Sequence, residues 1–325
     1  MSSLFTESVE KLASILKNGG IVIFPTETVY GIGALATNTE ACLRIYAIKN
    51  RPSDNPLIIH FADKSEIEKY CEVSSLAKVL LNEFSPGPLT LVLKKKNDSL
   101  FSCGLSTVAV RIPDHIEARK LISLAGPIAA PSANPSGKPS YTKMEDVLEE
   151  FSGKVDGILR ATEPSYSMES TVLDLSQEKV ILLRTGSIDR RIIETRLGIQ
   201  VEVLESPEII SPGMKYRHYA PNGKIFISKI LPSIQEIQSK HKILSNHFGN
   251  SSDKSISKIA RIGFGMSDVS NFDKMVFNNL DYMKSLYKFL LDCDKTNIEI
   301  IYCQEPYDGE FADTIWDRLN KASST

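Results

Sequence analysis

Six short segments of this chain gather cations, hydroxyls and amides beyond what buried strand ends need. Arg111 stands inside STVAVRIP (106–113), an otherwise apolar run. A guanidinium there is costly unless it meets an acid, supplied either by the protein or by a ligand. Lys49 and Arg51 stand two apart in KNRPSDNPLIIH (49–60). On an extended segment that spacing aims both cations the same way, so they could share one phosphate. At a helix end they would be an ordinary solvated pair. PSANPSGKPSYT (131–142) supplies small hydroxyl and amide groups, the donors that line an anion pocket. PTETVYGIG (25–33) is a polar turn after a buried strand, while MESTVLDL (168–175) and LLRTGSI (182–188) add another hydroxyl pair and another arginine. Such groups can line an anion pocket, and ligands gather at strand ends in open α/β sheets.

The elements that must position these groups follow from hydrophobic periodicity. Residues 7–18 read as an amphipathic helix with Leu12, Ile15 and Leu16 on one face, stopped by Gly19 and Gly20. IVIF (21–24) reads as a buried strand, and Asn38 or Thr39 caps a second helix ending near Lys49. Apolar runs at 57–61, 89–93, 108–112, 127–130, 170–175 and 180–183 read as strands. Helical stretches lie near 65–84, 115–124 and 143–150. The mixture predicts an α/β sheet with ligands at strand ends, without fixing the strand order. Residues 205–223, with three prolines and no sustained periodicity, read as a linker, and 245–257 as a loop. KIFIS (224–228), IARIGFG (259–265) and IEIIYC (298–303) read as strands, with helical spacing from Leu280 to Leu291. The predicted organisation is a first domain over 1–207, a linker over 208–223 and a small α/β domain over 224–325.

Other chemistries find little support. Gly31-Ile32-Gly33-Ala34-Leu35-Ala36 imitates a dinucleotide fingerprint, but PTETVY separates it from its strand, which a Rossmann turn does not allow. No G-x-x-x-x-G-K-[ST], G-x-S-x-G or H-E-x-x-H motif occurs. The five cysteines are scattered without a C-x-x-C pair, which argues against a disulfide framework or zinc site and for a reducing compartment. MSSLFTESVEKL has no apolar h-region, and no apolar run approaches the ~18 residues that span a bilayer. Net charge is −2, and residues 1–207 carry 23 Lys and Arg against 26 Asp and Glu. That balance favours a small anionic ligand over a long nucleic acid.

Together and in this order, the segments resemble the threonylcarbamoyl-AMP synthases, which are built on the YrdC-like domain. The resemblance rests on PTETVYGIG, on K-x-R-P-x-x-N-P-L at 49–57, on STVAVRIP, on PSAN with SG at 131–137, and on ESTV at 169–172. It continues through SPGMKYRHYAP (211–221), the linker signature of the family's long form. Beyond the linker, only length and α/β character match.

The resemblance implies a twisted mixed sheet with helices and a ligand cleft, followed by a small Rossmann-like α/β domain. It implies synthesis of threonylcarbamoyl-adenylate and pyrophosphate from L-threonine, bicarbonate or carbon dioxide, and ATP. Partner proteins then use the product to modify an adenosine beside the anticodon of certain tRNAs. By this similarity Thr28, His60, Arg111 and Ser170 hold threonine, and Lys49 and Arg51 are the catalytic cations. Arg51, Asn55, Thr107, Ser132, Asn134, Thr142 and Arg184 surround ATP. Tyr219, or else Tyr216, reaches from the linker to close the nucleotide site. Magnesium accompanies the triphosphate without an assigned protein ligand. A cytoplasmic location is expected, with no membrane contact and no strong direct grip on tRNA. Tyr141 and Thr185 stand where the family's pattern has proline. The alternative is an RNA-binding or translation-associated YrdC-like module without catalysis, which the near-neutral first domain counts against.

Overall fold

The computed structural model describes residues 3–203, 219–237, 239 and 258–323. Residues 208–218 of the predicted linker, Tyr216 among them, and the predicted loop over 245–257 lie outside the described residues. Two compact units divide the chain, Met1–Tyr216 and Arg217–Thr325.

Apolar runs of the first unit become the strands β1 (Leu4–Thr6), β2 (Val22–Pro25), β3 (Tyr30–Leu35), β4 (Ile58–His60), β5 (Leu89–Lys94) and β6 (Thr107–Arg111). They continue as β7 (Ile128–Ala130), β8 (Gly157–Leu159), β9 (Thr171–Asp174), β10 (Ile181–Arg184) and β11 (Glu202–Val203). One sheet holds all eleven in the order β1-β8-β2-β3-β7-β4-β6-β5-β9-β10-β11. Parallel pairs such as β4–β6 and β5–β9 adjoin antiparallel ones such as β2–β3 and β5–β6, so the sheet is mixed. Every residue of β2 and β4 is buried, as befits strands covered on both faces.

Helices α1 (Val9–Lys17), α2 (Thr39–Lys49), α3 (Lys64–Tyr70), α4 (Ser75–Phe84), α5 (Ile116–Ala125), α6 (Met144–Phe151) and α7 (Arg190–Leu197) flank the strands. Ser8 caps α1 by accepting the Lys11 N–H, and Asn38 caps α2 by accepting that of Ala41. Leu12 and Leu16 of α1 and Leu121 and Ile122 of α5 share one core cluster with Phe24 and Ile128.

Three features depart from the periodicity reading. The helix expected over 65–84 is two helices, because the chain extends at Cys71 to bridge Lys95 before Ser74 caps α4. The glycines of the false fingerprint lie inside β3, where Gly33 pairs with Val22. A Cβ on Gly33 would stand 2.5 Å from Ile128 Cγ2 and 2.9 Å from the Phe24 ring, so close packing requires the glycine. Finally, α7 buries only Ile193, too little apolar repetition to announce a helix.

The second unit contains β12 (Lys224–Ser228), β13 (Ile259–Phe264), β14 (Lys274–Val276), β15 (Ile300–Gln304), α8 (Asn279–Lys295) and α9 (Ala312–Ser323). Its four strands run parallel in the order β12-β15-β13-β14. Parallel strands need crossover connections, and α8 supplies the one that carries the chain from β14 past β13 to β15. It buries Tyr282, Met283, Leu286, Tyr287, Leu290 and Leu291. Among the described residues no helix is long and apolar enough to cross a membrane.

Candidate active site

One row of paired residues crosses the large sheet. His60 pairs with Arg111, Arg111 with Thr90, Thr90 with Val172 and Val172 with Arg184. Cross-strand partners share a face, so His60, Arg111, Thr90 and Arg184 stand together. The row closes β4, β6 and β10 and lies at the start of β5 and β9, so it runs along one end of these strands. By the two-residue period, Thr107 lies on the same face as Arg111, and Ser170 continues the face of Val172. Ile58, Val92, Ala109, Val172 and Leu183 form an apolar cluster that floors this region.

The acid that meets Arg111 comes from the turn between β2 and β3. Thr26 builds that turn: its Oγ1 accepts the N–H groups of Thr28 and Val29 and donates to Val29 O at 2.7 Å. The buried Thr28 hydroxyl lies 2.8 Å from it. Between these threonines, Glu27 places Oε1 2.7 Å from Arg111 Nη2, with the side chains 5% and 4% exposed. Arg111 Nε donates to Gly87 O at 3.3 Å. Of the two acids open to Arg111, the protein itself supplies one. Burial, and then the Arg111 charge, pull His60 from 6.5 to about 3, so its imidazole is neutral at pH 7.

Lys49 and Arg51 are not on the extended segment their spacing suggested. Lys49 ends α2, Asn50 turns the chain in the left-handed region (φ 50°), and the Arg51 N–H donates to Tyr46 O. Lys49 is buried, and its Nζ donates to Ser132 O at 2.5 Å and to Asn134 O. Its own carbonyl accepts the Ser136 N–H, so the lysine fastens the PSAN loop to the helix end. Half-buried Arg51 donates through Nε to Asn55 O at 3.0 Å and through Nη2 to Asn55 Oδ1 at 2.6 Å and Pro56 O at 2.9 Å. All these acceptors are neutral, and among the described residues neither cation has a carboxylate within ion-pair distance. Burial, with Arg51 beside it, holds Lys49 well below the usual amine range. Burial chiefly pushes Arg51 down to about 10, and Arg184 adds to the effect. With neutral acceptors only, neither charge is balanced by an acid among the described residues, and a ligand anion would favour the charged form of both.

Arg184 sits on Ser170, donating through Nε and Nη2 to its carbonyl at 3.1 and 2.9 Å and through Nη2 to its Oγ at 3.1 Å. Ser170 Oγ and Thr90 Oγ1 are 2.7 Å apart. The approach depends on Gly186, where a Cβ would come 2.4 Å from the Ser170 carbonyl carbon. Asn134 is bonded within its own loop, to Pro135 O and Lys138 O, and Ser140 joins that loop to Glu169 at 2.5 Å. Thr142 is buried, and Thr107 is half-buried at the start of β6. Tyr141 sets its ring 6.3 Å from Phe151, so the residue standing in place of proline fills core. Tyr219 belongs to the second unit, where its buried ring stacks on Tyr287 at 5.2 Å with the Arg318 guanidinium 4.7 Å above it. Glu27, Thr90 and Glu169 were not singled out from sequence. The arginine stranded in an apolar strand was the signal that some acid had to exist.

Comparison with known proteins follows the same outline. A family model described as "Telomere recombination" matches residues 14–186, and one described as "Threonylcarbamoyl-AMP synthase, C-terminal domain" matches residues 178–324. A threonylcarbamoyl-AMP synthase of Pyrococcus abyssi is 38% identical, covering 96% of this chain and 92% of that protein. One of Bacillus subtilis is 39% identical, covering 97% of this chain and 92% of its own length. Among solved structures, P. abyssi Sua5 complexed with L-threonine superposes with a TM-score of 0.82 at 35% identity, covering 99% of this chain and 96% of that one.

Proposed function

The chain belongs to the threonylcarbamoyl-AMP synthase family, and from that premise we propose that it joins L-threonine, bicarbonate or carbon dioxide, and ATP into threonylcarbamoyl-adenylate, releasing pyrophosphate. The observation that carries this reading is the buried Lys49 beside Arg51, both bonded only to neutral acceptors, near a row that contains Arg111. Phosphate oxygens would complete these two cations. Asn55, Thr107, Ser132, Asn134, Thr142 and Arg184 would surround the rest of the nucleotide. Thr28, His60, Arg111 and Ser170 would hold threonine.

The reaction needs no protein nucleophile. A carbamate oxygen attacks the α-phosphorus, the bond to the bridging oxygen breaks, and pyrophosphate leaves with that electron pair. Catalysis of such a step is positioning plus neutralisation of developing charge. Among the described residues no cluster of His, Cys, Asp or Glu forms a metal site of its own; magnesium would ride on the phosphate oxygens. The adenylate then passes to partner proteins that modify tRNA. All five cysteines are free, which fits a reducing compartment such as the cytoplasm. The test is pyrophosphate release from ATP by the full chain: release requiring both threonine and bicarbonate supports the reading, and release indifferent to threonine overturns it.

A further inference from the structure

One buried acid beside Arg111 has no place in the roles given so far. Glu27 is 5% exposed, and its carbonyl accepts the N–H groups of Ser165 and Tyr166 at 2.9 Å each, which pins the turn that carries it. Its Oε1 is engaged by Arg111, but Oε2, equally buried, meets no donor among the described residues. A carboxylate oxygen removed from water without a donor is unfavourable and rarely left that way. His60 Nδ1, on the residue paired with Arg111, is a second buried atom without a partner. Arg111 for its part uses Nη2 and Nε, and its Nη1 makes no hydrogen bond to the described residues. The ion pair is thus half used on each side: one guanidinium nitrogen lacks an acceptor, and one carboxylate oxygen lacks a donor.

A free amino acid carries the matching pair of charges on a single carbon. We propose that the Arg111–Glu27 pair is a template for a zwitterion, in which Glu27 Oε2 accepts hydrogen bonds from the α-ammonium group while Arg111 Nη1 grips the α-carboxylate. The inference rests on the reading that this site takes L-threonine and adds a residue that determines which part of it is recognised. It explains why an acid is retained beside a site otherwise built of cations: it neutralises Arg111 in the free protein and selects an amine-bearing ligand.

The test is a binding cycle by calorimetry on the full chain without ATP, pairing wild type and Glu27→Gln with L-threonine and with 3-hydroxybutyrate, which lacks the amine. In wild type, loss of the amine should weaken binding ~10–100-fold, the scale of a charge-assisted hydrogen bond. Glu27→Gln should weaken L-threonine by a similar factor and leave 3-hydroxybutyrate nearly unchanged, since the coupling appears only when both partners are present. Equal weakening of both ligands would make Glu27 a merely structural residue and overturn the proposal. The wild-type arm stands without the variant: equal affinities for the two ligands would also overturn it, while leaving threonine binding itself intact. If wild type binds no L-threonine, the functional reading falls and this inference falls with it.

Discussion

Arg261 of the second unit and the Lys49–Arg51 pair of the first are cations taken from water, yet they are satisfied in opposite ways. Arg261 is 2% exposed and bonded to Asp273 at 2.6 Å, to Asp268 at 3.0 Å and to Pro232 O at 3.0 Å. Burial alone would lower its pKa, but hydrogen bonds to Asp273 and then Asp268 outweigh that and raise it. Lys49 and Arg51 have only carbonyl and amide oxygens, and burial lowers both. A cation paired with internal acids is scaffold, whereas one held by neutral dipoles has its charged form completed only by an anion that arrives. Arg111 lies between these extremes, with one internal acid that is itself only half used.

The comparison breaks most visibly at Arg261. Arg261→Ala would leave Asp273, whose side chain is 1% exposed, buried without its cation. It should cost ~3–5 kcal/mol of stability, read as a fall in the denaturant midpoint. Loss of stability below ~1 kcal/mol would place Arg261 among the replaceable surface charges. Arg51→Ala should do the reverse: a folded protein near wild-type stability whose pyrophosphate release drops at least ~100-fold, as when a transition-state donor is lost. Wild-type turnover would return the two cations to a structural role.

Smaller effects sharpen the contrast between packing and chemistry. Gly33→Ala should cost ~1–3 kcal/mol by forcing β3 away from Ile128 and Phe24, and circular dichroism melts of the variant would read it. Titration of His60 should contribute little to stability at pH 7, where the folded form is neutral and the unfolded form mostly so. As pH falls from 6.5 toward 3, the unfolded chain takes up a proton that the buried imidazole refuses. Stability should therefore drop, with a slope from this residue of at most ~1.4 kcal/mol per pH unit. His60→Gln should flatten the stability curve in that window, and an unchanged slope would show that the imidazole is solvated.

Much of this was legible in the chain itself. Strands at 57–61, 89–93 and 108–112 follow from short apolar runs, α1 from the shared face of Leu12, Ile15 and Leu16, and the start of α2 from a cap at Asn38. Arg111 was conspicuous because an apolar strand gives a guanidinium no cheap resting place. Less legible were α7, which buries one apolar residue, and β3, whose glycines carry no side chain to alternate.

Sequence by itself determined the residue types of the site and their order, since these depend on local composition, and it determined that Arg111 must meet an acid. It could not say which acid. Glu27 lies 84 residues away, in a turn whose direction is set by Thr26, and only the register of β4, β6 and β5 brings Arg111 to the end of its strand beside His60 and Thr90. Nor could it place Lys49 and Arg51, where two-residue spacing means one thing on a strand and another across a helix end turned by Asn50. Pairing energies that act between distant segments are fixed only when the chain closes on itself, so the tertiary structure decided which charges are spent and which are kept.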